Sequence, residues 1–218
     1  MADASRDVTT RQIPTAMGLL YVADHPGDGP ALVLMHGFPD DSRIYNRLVP
    51  LLSPRRAVAF DFLGYGASDR PQTGAADPDM TPLADAMLKD PDQRMWLLGH
   101  TARQFGGDPL DPGSVGVAAV VPQFFGDAGR PDALPAIRAW TAALFSDLDA
   151  QDQRITQGQL AGLDIPVGLV FGALDRYLSP GLAAHLASLF GRADLHLVDG
   201  ASHWPQWDAP KAVSGLIR

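Results

Sequence analysis

The chain has 218 residues, 46% of them apolar and 19% charged, and a formal net charge of −8. That length suits a single domain with an ample core, and the acidic balance, with no offsetting block of Lys or Arg, argues against a nucleic-acid partner. The absence of cysteine excludes disulfides, thiolate catalysis and Cys-based zinc sites.

The polar opening MADASRDVTTRQ has no apolar core and does not read as a signal peptide. Apolar runs stay far below the roughly 20 residues of a membrane span, so a soluble, cytoplasmic protein with no membrane contact is expected. GLLYVADH predicts an antiparallel strand near a sheet edge. ALVLMHG (Ala31–Gly37) and AVAFDF (Ala57–Phe62) are short continuous apolar runs, the pattern of strands buried on both faces. Arg43 to Leu52 reads as the helix between them.

From about Pro78 to Leu160 the pattern turns helical. Thr81 and Asp90 stand as N-caps, Pro82 and Pro91 occupy first helical positions, and Gln93 fits a capping box. The Gly106-Gly107 pair stops the second of these helices. PDALPAIRAWTAALFSDL predicts another, while VGVAAVV (Val115–Val121) is ambiguous between helix and strand. IPVGLVFG (Ile165–Gly172) and LHLVDG (Leu195–Gly200) return to the buried-strand pattern, with a helix from Pro180 to Phe190 between them. Strands alternating with helices imply βαβ units and a parallel sheet, hence an α/β fold.

Four motifs follow these strands in order: LMHGFPDD, DFLGYGASDRP, FGALDRYLSP and DGASHWPQWDAP. Their order and spacing resemble the α/β-hydrolase family, in particular the branch of epoxide hydrolases, haloalkane dehalogenases and carbon–carbon bond hydrolases. The resemblance covers about Gln12 to Asp77 and Leu160 to Arg218. It implies an α/β-hydrolase fold with a mostly parallel sheet: residues 1–77 as the first part of the core, 78–160 as a helical cap and 161–218 as the second part of the core.

His36-Gly37-Phe38-Pro39 ends a strand at its carboxyl edge, where open α/β sheets bind ligands. A backbone N–H there can stabilise an oxyanion, and Gly37 lets a substrate approach the main chain. The resemblance assigns the Phe38 N–H as an oxyanion donor; the plainer alternative is a tight turn that merely needs glycine. Asp175 and His203 follow neighbouring strands at the same edge, where a carboxylate can orient an imidazole. The resemblance makes them triad acid and general base, with Trp204 beside the base as a substrate-binding candidate. The plainer alternatives are a capping Asp and a histidine packed beside Trp204.

Gly64-Tyr65-Gly66 with Ser68-Asp69 reads as architectural, because no Gly-Lys-Ser/Thr follows to make a phosphate loop. His25, His100, His185 and His196 show no metal-ligand spacing. His36 reads as a structural hydrogen-bonder, and Trp96 and Trp140 read as apolar core. No metal or cofactor is expected; the partner is a small-molecule substrate or an apolar ligand beneath the cap.

The family places its nucleophile on a small-x-nucleophile-x-small turn between a strand and a helix. Gly99-His100-Thr101-Ala102-Arg103 is the one candidate. Against it, a β-branched Thr tolerates positive φ badly, Arg103 stands where a small residue is needed, and GGDPLDPG breaks the chain within two turns. Asp90, Pro91 and Gln93 favour instead a cap helix that contains Thr101. On that reading QTGAADPD is too short to hold the nucleophile strand, its helix and the next strand. The central strands are then missing, and Leu32–Met35 is expected to lie directly beside Val167–Phe171.

Substrate signals are mixed. HGFP and GYGASDRP look like Asp-nucleophile epoxide hydrolases, yet Tyr21, Tyr45, Tyr65 and Tyr177 all lie outside the cap. Phe38 stands where dehalogenases carry a halide-binding Asn. SHWPQWDAP looks closer to the carbon–carbon bond hydrolases, which use Ser.

Overall fold

The computed structural model describes residues 7–37, 40–70, 149–176 and 178–217. Its strands are β1 (Thr9–Thr15), β2 (Gly18–His25), β3 (Asp28–Met35), β4 (Arg55–Phe60), β5 (Val167–Gly172) and β6 (Ala193–Val198). All five strands expected from apolar pattern are present. β1 was not expected: TTRQIPT lacks apolar alternation and contains Pro14. It is an edge strand, exposed throughout and held by its antiparallel ladder to β2.

β1 to β4 form a four-stranded sheet in the order β1-β2-β4-β3, with β2 antiparallel to β4 and β3 parallel to β4. β5 and β6 form a separate two-stranded parallel sheet. Helix α1 (Pro180–Ser188) connects them, opened by Ser179, whose side chain accepts the Leu182 N–H, and by Pro180 at the first turn. Two short helices, α2 (Pro205–Asp208) and α3 (Pro210–Leu216), follow β6. Among the described residues β3 has β4 as its ladder partner and β5 has β6. The direct pairing expected between β3 and β5 is therefore not seen there.

The single helix expected from Arg43 to Leu52 is instead two 3-10 turns, Ser42–Tyr45 and Val49–Leu51. Asp41 opens the first by accepting the Arg43 N–H, and Pro50, which has no N–H to donate, sits inside the second. The expected helices at Thr81, Asp90–Gly107 and 131–148, and the Val115–Val121 run, lie outside the described residues; residues 149–156 are helical.

Parallel register pairs Leu32 with Ala57 and Leu34 with Ala59, placing all four on one face. There they meet Leu48 and Leu52, which flank the second 3-10 turn, and Val213 from α3, with Val170 of β5 and Ile217 packed alongside. One apolar cluster thus draws on both sheets. The opposite face of β3 differs from expectation: Val33 and Met35 are each 61% exposed. β3 is buried on one face only, because the elements that cover it, the 3-10 turns and α3, sit on the Leu34 side.

Candidate active site

At the carboxyl end of β3 the chain turns through His36 and Gly37, and the Asp40 N–H closes the turn onto the Gly37 carbonyl at 3.1 Å. Phe38 and Pro39 lie outside the described residues. His36 is buried, with Nδ1 2.7 Å from the Gly37 carbonyl and Nε2 accepting the Phe62 N–H at 3.0 Å. That pairing requires Nδ1 to carry the proton and Nε2 to be bare. Burial accordingly holds the His36 pKa below its ordinary value. His36 is a neutral link between the ends of β3 and β4.

Beneath this turn Asp61, at the end of β4, accepts the Ser42 N–H at 2.7 Å and the Ala67 N–H at 2.8 Å. One carboxylate therefore fastens the turn after β3 to the glycine turn after β4. Gly66 lies directly against it with φ +48°, and a Cβ there would stand 2.1 Å from an Asp61 oxygen. Ser68 donates to the Asp61 carbonyl and accepts the Tyr21 N–H, so the Gly64–Asp69 turn is built into the sheet, as an architectural turn should be.

The second half of the site is made by β5 and β6. Gly172 ends β5 against the loop after β6: a Cβ there would lie 1.9 Å from the Ser202 carbonyl oxygen. This approach, reinforced by the Leu174 N–H on the Ala201 carbonyl at 3.0 Å, brings Asp175 and His203 together. Asp175 Oδ2 lies 2.9 Å from His203 Nδ1, and Asp175 Oδ1 accepts the Leu178 N–H at 2.8 Å. The Asp175 side chain is 2% exposed and that of His203 20%. A buried carboxylate held by a main-chain donor thus faces a partly accessible imidazole. With Nδ1 on Asp175, Nε2 is the nitrogen that can take a proton from a reacting group.

Asp208 in α2 accepts both the N–H and the hydroxyl of Ser202, at 2.8 and 2.5 Å, and so anchors the residue before His203. Trp204, the residue after it, is buried; its ring meets His203 edge-on at 5.7 Å and its indole N–H donates to Asp40 Oδ2 at 2.9 Å. Burial pushes the Asp40 carboxyl up to about 7 despite that hydrogen bond. The structure therefore joins Asp175 with His203, and His36 with Gly37, and sets Trp204 between the two groups. Sequence reasoning missed Asp40, Asp61 and Asp208 as the residues that hold the turns. A pair of acids directly after a strand-end glycine turn, as in HGFPDD, is the one local sign that something there needed acceptors.

Among the described residues no cluster of three or more His, Asp or Glu could hold a metal ion. No described helix is long and apolar enough to cross a membrane.

The sequence matches the alpha/beta hydrolase family over residues 32–107. The chain has the α/β-hydrolase fold, and its sequence matches that family over this part of its length. The match begins in β3 and runs on across Gly99–Gly107, the stretch that includes Thr101. LipZ of Mycobacterium tuberculosis is 42% identical over 62 residues, 28% of this chain and 22% of LipZ. A haloalkane dehalogenase of Mesorhizobium japonicum is 32% identical over 88 residues, 40% of this chain and 28% of the relative. These alignments span about a fifth to a quarter of the relatives' length. By shape, the chain resembles the 2-hydroxy-6-oxo-6-phenylhexa-2,4-dienoate hydrolase of Rhodococcus sp. strain RHA1. The TM-score is 0.72 at 18% identity, covering 97% of each chain. The haloalkane dehalogenase DatA of Agrobacterium tumefaciens gives 0.67 at 16% identity, covering 97% of this chain and 95% of DatA.

Proposed function

We propose that this chain is a hydrolase-family protein for a small organic ester, epoxide or C–C substrate, with turnover weakened by loss of its nucleophile segment. Asp175 orients His203 as the base and the Phe38 N–H is the oxyanion donor. Residues 78–160 act as a cap between core parts 1–77 and 161–218, in a soluble cytoplasmic protein. The observation that carries the reading is the Asp175–His203 pair at 2.9 Å, beside the carboxyl ends of parallel strands.

Two features support impairment. QTGAADPD leaves no room for a strand, elbow and helix before the cap. Among the described residues, β3 and β5 each end their own sheet, where a continuous sheet would need strands between them. Without a side-chain nucleophile, His203 would have to act on water: Nε2 takes a water proton as the oxygen attacks the ester carbonyl, then returns it to the leaving alkoxide. That route forgoes covalent catalysis and is correspondingly slow.

The test is p-nitrophenyl acetate cleavage by the wild type and by His203→Ala. His203-dependent release supports the hydrolase reading; equal, background-level release replaces it with a silent hydrolase fold that binds a small apolar ligand. One observation favours a second reading, Thr101 as nucleophile: the family match runs across Gly99–Gly107. Burst kinetics abolished specifically by Thr101→Ala would establish it.

A further inference from the structure

Asp40 takes no part in the acid–base pair, yet it is a carboxylate only 4% exposed, directly past the oxyanion turn. Oδ2 accepts the Trp204 indole N–H across 164 residues of chain, while Oδ1 is buried without a hydrogen-bond partner. Burying an acid so incompletely satisfied is unfavourable, and its retention at this point calls for a role. The main chain of Asp40 is itself fixed, since its N–H closes the turn on Gly37. Trp204 is equally fixed relative to the base, as the next residue in the chain and an edge-on ring neighbour of His203.

A second contact runs in the same direction. The Arg47 guanidinium, between the two 3-10 turns, lies 5.5 Å above the Trp207 ring in α2. Both contacts lead from the loop after β3 to the loop and helix after β6, and those strands belong to different sheets. We propose that Asp40 is a positioning residue: by holding the Trp204 indole, it ties the Gly37–Asp40 hydrogen bond at the end of β3 to the His203 loop and so fixes the place of the imidazole.

This inference rests on the proposed roles of His203 and the Phe38 turn, so its test uses signals that need no turnover. The signals are hydrogen exchange of the Trp204 indole N–H and the proton resonance of the His203 Nδ1–H bonded to Asp175. Asp40→Asn keeps an acceptor oxygen and is expected to preserve both. Asp40→Leu removes the acceptor; exchange at Trp204 should quicken at least about tenfold, and the His203 resonance should broaden or vanish while far-UV circular dichroism stays native. Should Asp40→Leu fail to fold, Trp204→Phe decides, with the same loss at His203 expected. A sharp, unmoved His203 resonance in either variant overturns the proposal, as does its loss in Asp40→Asn. Ester cleavage reads the hydrolase reading separately: a silent protein with the Asp40 effect intact would refute the first and leave the second.

Discussion

Gly172 and Ser202 meet so closely that a Cβ on the glycine would stand 1.9 Å from the serine carbonyl oxygen. Both neighbours at the clash are main chain, so no flexible side chain can yield. Gly172→Ala should therefore push β5 away from the loop that carries His203, at a cost of about 2–3 kcal/mol. Urea denaturation should show that loss together with loss of the His203 Nδ1–H resonance. A fully stable variant with the resonance intact would mean that the approach is looser than this geometry.

Asp208 supports the same loop from the other side. It accepts two hydrogen bonds from Ser202, which is itself buried. Asp208→Ala strands a buried N–H and a buried hydroxyl, and should cost about 2–3 kcal/mol. Asp208→Asn keeps an acceptor and should lose less than half of that. Comparing the urea midpoints of the two variants checks the order; equal losses would remove Asp208 from this role.

The strands were legible because continuous apolar runs bounded by glycine turns have few other readings. β1 was not, since an edge strand exposed on both sides needs no apolar pattern and is held by main-chain hydrogen bonds. Asp175 and His203 could be found locally, each standing a few residues past a recognisable strand. The acceptors that hold them could not. Asp40 finds Trp204 only when β3 and β6 are brought together in space, and Asp61 serves turns from two different strands. The 3-10 turns at Ser42–Leu51 show the converse, an apolar period read as one helix and then divided by the proline at position 50.

Gly66 and Gly29 both adopt positive φ, but they differ in surroundings. A Cβ on Gly66 would collide with Asp61, whereas one on Gly29 meets nothing within 4 Å. Gly29→Ala should cost only the backbone strain, about 1 kcal/mol. Gly66→Ala adds displacement of Asp61 and release of the Ser42 and Ala67 N–H groups, so about 3 kcal/mol or more is expected. Thermal melts of the two variants side by side provide the measurement. Equal shifts would mean that the Asp61 staple contributes nothing beyond local strain.

Two buried groups give opposite pH dependences. Burial raises the Asp40 carboxyl from 3.8 to about 7, so its contribution to stability is present at low pH and is lost as pH rises through about 7. Burial lowers His36 from 6.5; its contribution is present above that value and is lost as pH falls through the lower folded value. Asp41 and Tyr45 face Asp40 from the adjoining turn and Trp204 from the loop after β6, and the Asp41 charge adds to the upward push. Asp40→Asn removes the alkaline loss and leaves the acid one. Between pH 5 and pH 8 the variant should therefore lose less stability than the wild type, by on the order of 2–3 kcal/mol. Urea melts at both pH values measure this double difference directly. Parallel changes in wild type and variant would show that Asp40 ionises in the folded protein as easily as it does in the unfolded chain.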